Sequence, residues 1–153
     1  MSLQQELKKR KPFDSPRQEA LINLWRASDR SQNRFGRLFR EHGLTASQYN
    51  VLRILRGEGK PLPCLDIADR MIQVVPAITR QIDSLEESGM IRRQRCTEDR
   101  RVVYIEITAR GLAALRKLDE PVAELHEQML TRLTVAEVRE LNRLLEKAQI
   151  ANE

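Results

Sequence analysis

The hydrophobic period of this chain changes after Gly89. Before that glycine, apolar residues recur three and four positions apart. Beyond it they alternate, in "MIRRQRC" (90–96) and again in "RVVYIEIT" (101–108). Alternation belongs to half-buried strands and the longer spacing to helices. The two strands surround a polar tip at 97–100. Val103, Ile105 and Ile107 share one face, and Tyr104 and Glu106 the other. The chain must therefore be mainly α, an α+β fold with one hairpin set among helices.

Two short helical segments precede the hairpin. "PCLDIADRM" (63–71) carries Leu65, Ile67, Ala68 and Met71, and "VPAITRQIDSLEESG" (75–89) carries Ile78, Ile82 and Leu85. Helix, tight turn and helix make a helix-turn-helix, and the hairpin makes it winged. Upstream, Ser15 with Pro16 and Gln18 predicts a capped helix start, followed by a stripe from Leu21 to Phe39 that stops near Gly43. Thr45 with Gln48 is a second capping box, before Tyr49, Val51, Leu52, Ile54 and Leu55. "GEGKPLP" (57–63) reads as a loop. Thr108 caps a long helix with a stripe from Leu112 to Met129, and Pro121 inside it is a place for a kink. Thr134 with Glu137 opens a last helix carrying Val138, Leu141, Leu144, Leu145 and Ile150.

The winged motif needs only residues 45–108. A helix from 108 to 131 is on the order of 35 Å long and outreaches so small a unit. Its stripe, like that of the first long helix, needs a partner, and a twofold dimer is the economical one. The predicted organisation is a flexible basic arm (1–13, with "KKRK" at 8–11), a helical dimerisation region (14–44 and 109–153) and a winged helix-turn-helix region (45–108).

Composition narrows the function. Lys and Arg number 27 against 22 Asp and Glu, a net charge of +5. That suits a polyanion partner as well as plain solubility, so the placement of charge must decide. There is no nucleophile elbow, phosphate loop or metal-ligand pair, which argues against an enzyme and against a cofactor. His42 and His126, beside Glu41 and Glu124, lie too far apart to suggest a metal site. The longest apolar run, Val74–Ile78, is too short to span a membrane, and the first residues have no signal-peptide character. A cytoplasmic protein is expected.

The stretches "LTASQYNVLRIL", "LDIADRM", "PAITRQIDSLEESGMIRRQ" and "DRRVVYIEITARG" together resemble the MarR family of winged helix-turn-helix transcriptional regulators over roughly residues 20–148. The resemblance implies a homodimer on a pseudo-palindromic operator in double-stranded DNA. The second helix of the motif would lie in the major groove and the wing in the flanking minor groove. It also implies repression relieved by a small-molecule effector lodged between the DNA lobe and the dimer helices. Trp25, Arg34, His42 and Tyr49 lie on segments that would line such a crevice, although packing or surface is the plainer role for each.

Pro76, Thr79 and Arg80 match the family's Pro-x-x-Thr-Arg. With Ile78, Ile82 and Leu85 facing inward, Thr79 and Arg80 face outward, and Arg80 is the first choice for a base contact. The helix start departs from the family, because Val74, Val75, Pro76 and Ala77 stand where small polar residues are usual. A missing cap costs about 1 kcal/mol. Val75 reads only shape and methyl groups, and Gln73 is the nearest polar side chain that compensates. In the wing, Arg95, Thr97, Asp99, Arg100 and Arg101 are the candidates. Asp99 is spaced to pair with Arg101, which favours Arg100 as the inserted finger, with the two roles open to sharing or exchange, since narrow minor grooves favour arginine. Two alternatives stand beside this reading: a winged-helix protein-interaction adaptor, and a redox-responsive regulator using Cys64 or Cys96. A helix-start thiol such as Cys64 can have a lowered pKa, which favours oxidation. Arg100→Ala should weaken binding to all DNA sequences and reduce the salt slope by about 0.9 for each phosphate it no longer neutralises. A salt titration of binding checks this, and an unchanged slope would contradict it.

Overall fold

The computed structural model describes residues 2–73, 78–95 and 102–149. Val75, Pro76, Cys96, Thr97, Asp99, Arg100 and Arg101 lie outside the described residues, and with them the helix start at 75–77 and the Asp99–Arg101 pairing.

The chain runs α1 (Leu3–Glu6), α2 (Pro16–Glu41), α3 (Ala46–Glu58), β1 (Leu62–Pro63), α4 (Cys64–Asp69), α5 (Ile78–Glu87), β2 (Ile91–Arg95), β3 (Val103–Ile107), α6 (Ala109–Leu130) and α7 (Val135–Gln149). The antiparallel sheet has the order β1-β3-β2. Ile91 pairs with Ile107 and Arg95 with Val103, so the predicted hairpin is present. Strand β1 falls in the stretch read as a loop. Leu62 pairs with Ile105 and Pro63 with Tyr104. Two residues are too few to show a period, and proline is tolerated because the strand is at the sheet edge.

Each predicted helix start uses the expected cap, with one difference. Thr45 and Gln48 form the reciprocal box at α3, and Thr134 and Glu137 exchange bonds in the same way before α7. At α2 the Ser15 hydroxyl accepts from the Gln18 amide N–H, but the Gln18 side chain turns to Asp14 instead. Asp14 offers both an N–H and a carboxylate, so it satisfies both ends of the glutamine amide.

Where a flexible arm is expected, the structure has a one-turn helix. Leu3 is buried, and the Glu6 carboxylate accepts from Arg30 at 2.6 Å and Arg26 at 3.3 Å on α2. The bond from Arg30 holds the Glu6 carboxyl below its ordinary range. Lys9 lies over the Phe13 ring. The two bonds of Glu6 join residues 20 and 24 positions apart, which no local pattern reveals.

The core lies where α3 meets α5, the sheet and α6. Val51, Leu52, Ile67, Ile82, Leu115 and Leu118 have no exposed surface. Helix α6 runs through Pro121 without a break. Among its described residues, helix α7 has no buried one in the chain by itself; Val135 is 69% exposed and Leu144 48%. On α2, Leu21, Leu24 and Trp25 are exposed as well.

The start of α6 is crossed by the chain at Gly89–Met90. Gly89 ends α5 with φ +71°, a left-handed conformation that favours glycine. The Thr108 hydroxyl donates to the Gly89 carbonyl at 2.7 Å and accepts from the Gly111 N–H at 3.2 Å. A Cβ on Gly111 would stand 2.3 Å from the Met90 carbonyl oxygen and 2.8 Å from Ile107 Cγ1. Glycine three residues after Thr108 is thus a packing requirement. Gly111→Ala should destabilise by about 1–3 kcal/mol and lower Tm by roughly 3–10 °C in thermal unfolding. An unchanged Tm would contradict the close approach.

Candidate nucleic-acid interface

Helix α5 buries Ile82 and Leu85 against the core and leaves Thr79 and Arg80 exposed. Its outer face is therefore free to meet a partner. Both flanks are held by polar contacts. On one, the Arg93 guanidinium of β2 bonds Asp83 at 2.5 Å and also pairs with Glu86. These bonds, Asp83's above all, raise the arginine's pKa. On the other flank, Gln48 of α3 donates to the Ser84 hydroxyl at 3.0 Å, and the Thr45 hydroxyl reaches Gln81 at 3.4 Å.

Strand β2 divides its arginines by task. Arg92 bonds Glu106 across the hairpin at 2.7 Å, and Arg93 is committed to α5. Arg95 is exposed at the strand end leading to the wing tip and makes no ion pair with another described residue. Arg80 likewise makes none among the described residues. Gln73 is exposed and stands just ahead of the segment that leads into α5. Of the ten sequence candidates, the structure describes Gln73, Thr79, Arg80 and Arg95. Thr79 and Arg80 share the outer face of α5, and Arg95 belongs to the wing.

A cavity of about 780 Å³ opens between α2, α3, the turn after α4, and α6. Phe35 and Phe39 of α2, Tyr49 and Asn50 of α3, Met71 after α4 and His126 of α6 all line it. The Phe39 and Tyr49 rings stack at 4.2 Å, Phe35 lies 6.0 Å from Phe39, and His126 lies 5.1 Å from Phe35. The chain has only six aromatic residues (Trp 1, Tyr 2, Phe 3), and three of them line this one cavity. Asn50, a buried polar residue of α3, holds Arg53 at the wall by bonds of 2.7 and 3.2 Å to Oδ1. Burial pushes the Tyr49 phenol pKa up, so the ring stays neutral at ordinary pH.

Of the four crevice residues named from sequence, only Tyr49 lines this cavity. Arg34 bonds Gln128 at 3.2 Å beside a smaller cleft of about 290 Å³. His42 bonds the Leu38 carbonyl, and Trp25 is exposed on α2. The Cys64 thiol departs from its expectation, because half-burial pushes its pKa up and keeps it protonated. Sequence reasoning missed Gln48, Ser84 and Arg93. The signal for Gln48 was visible in its capping box, but its second bond was not.

No described helix is long and apolar enough to cross a membrane. The sequence pattern of the MarR family matches residues 44–103. The chain is 30% identical to the HTH-type transcriptional repressor IacR of Pseudomonas putida over 135 residues, 87% of this chain and 80% of that one. It is 27% identical to the homoprotocatechuate degradative operon repressor of Escherichia coli over 126 residues, 82% of this chain and 84% of that one. The crystal structure of a MarR transcription factor from Planctomyces limnophilus superposes with a TM-score of 0.69 at 43% identity, covering 88% of this chain and 98% of that one. With the winged helix-turn-helix, the long flanking helices and these likenesses together, the chain belongs to the MarR family.

Proposed function

We propose that the protein is a homodimeric transcriptional repressor that acts in the cytoplasm on a pseudo-palindromic operator and releases it when a small molecule fills the cavity. The observation that carries the DNA reading is the outer face of α5. Thr79 and Arg80 project from a helix whose back is buried and whose flanks are held, which is how a rigid reading element must be mounted. Arg80 is assigned the base contact, because a guanidinium matches guanine O6 and N7. Pro76 and Val75 fit shape and methyl groups, with Gln73 beside them. Arg95, Thr97, Asp99, Arg100 and Arg101 are assigned to the wing, with Asp99 steadying Arg101 and Arg100 entering the minor groove.

The dimer reading rests on uncovered surface. The chain exposes 11740 Å², against roughly 8000 Å² for a compact monomer of its 17.8 kDa. Leu21, Leu24 and Trp25 of α2 and Val135, Leu141 and Leu144 of α7 are among the apolar side chains left exposed. A twofold axis through residues 14–44 and 109–153 covers both and presents two copies of α5. Each protomer brings a net charge of +5 to the duplex.

The effector reading rests on the row His126, Phe35, Phe39 and Tyr49 with Arg53 at the wall. Flat aromatic surfaces beside a guanidinium suit a planar aromatic acid. The Escherichia coli relative, named for the homoprotocatechuate degradative operon, is consistent with that class.

Arg80→Ala should cost about 1–3 kcal/mol on a selected operator and much less on random DNA. A fluorescence-anisotropy titration checks it, and equal losses on both duplexes would contradict a base contact. Sedimentation equilibrium at micromolar concentration should give the mass of a dimer, and a stable monomer would overturn the assembly.

A further inference from the structure

We infer that Gln48 is a positioning residue that couples the cavity wall to the DNA-reading helix. Thr45, Ala46 and Ser47 line the cavity. Gln48, the next residue in the chain, uses both ends of its side-chain amide. Its Oε1 accepts from the Thr45 N–H at 2.9 Å, closing the cap of α3. Its Nε2 donates to the Ser84 hydroxyl on α5 at 3.0 Å. The Thr45 hydroxyl repeats the arrangement, accepting from the Gln48 N–H at 3.1 Å while reaching Gln81 at 3.4 Å. One helix cap therefore belongs to two structures at once, the wall of the cavity and the flank of α5.

The opposite flank of α5 is gripped by Arg93 through Asp83 and Glu86. That grip comes from the wing strand and does not touch the cavity. An occupant that displaces residues 45–47 therefore pulls on the Gln48 flank of α5 and shifts Thr79 and Arg80 relative to the wing. A ligand shifts DNA binding only through a differential contact with the two states, and this amide supplies one. Coupling of this kind is reciprocal, so DNA held by α5 must in turn steady the wall.

This inference rests on the reading that α5 contacts DNA. The probe is the tightest-binding duplex recovered from a random pool, measured against unselected duplex. Ser84→Ala removes the link and leaves the α3 cap intact. It should lower the ratio of selected to unselected affinity by about two- to tenfold, the worth of one hydrogen bond. Ser84→Thr, which keeps the hydroxyl, should restore the ratio. Gln48→Leu should lower it similarly, and the double variant Gln48→Leu with Ser84→Ala should be no worse than Gln48→Leu alone. In hydrogen exchange, binding of the selected duplex should slow the amides at the start of α3 in the native protein and not in Ser84→Ala. An unchanged ratio in Ser84→Ala, additive losses in the double variant, or slowing at α3 that is absent from the native protein or equal in both proteins would each overturn the coupling. If Arg80→Ala also left the ratio unchanged, the DNA reading of α5 would fall with it. A loss in Arg80→Ala alone would sink only the role of Gln48.

Discussion

A helix that must show one face to a partner can bury only the other, and everything else in this structure follows from how α5 meets that constraint. Ile82 and Leu85 fix its back to the core. Ile82 and Leu85, with Ile78 packed beside them, set the depth of this ten-residue helix. Rotation and tilt are set by polar contacts at the flanks, Arg93 from the wing strand and Gln48 with Thr45 from α3. Each is worth little as stability, since exposed ion pairs and hydrogen bonds contribute about 0–1.5 kcal/mol. Their value lies in direction, because a contact that adds little to folding can still decide where a guanidinium points.

The same economy joins the reading lobe to the long helices. Thr108 caps α6, bonds the Gly89 carbonyl that ends α5, and sits one turn before the glycine on which Met90 packs. The end of the reading helix, the base of the wing and the start of the longest C-terminal helix thus meet within a few ångströms. Arg56 of α3 adds a two-bonded contact to Asp119 of α6 at 2.8 and 3.0 Å. The cavity opens where α2, α3 and α6 part again, so whatever fills it presses on elements that are tied to α5.

Much of the architecture was legible in the sequence because it depends on periods and caps. The change of period after Gly89 marked the hairpin, and the outward direction of Thr79 and Arg80 followed from the positions of Ile78, Ile82 and Leu85. Strand β1 was not legible, because two residues carry no period. The one-turn helix α1 was hidden for another reason: Glu6 is fixed by arginines 20 and 24 residues away. The cavity was the hardest part to foresee. Its aromatic row is drawn from three helices, and each ring taken singly reads as ordinary core. Cys64 shows the limit of reading from position alone, since a helix-start thiol can have a lowered pKa while partial burial here pushes it up.

The central claim is that two copies of α5, mounted rigidly about a twofold axis, read DNA. Selection of bound duplexes from a random pool tests it most directly. The account predicts an inverted repeat whose half-site centres lie about 10 bp apart, one helical turn, each read from the major groove. A single unpaired half-site, a direct repeat, or a pool that never enriches would contradict it.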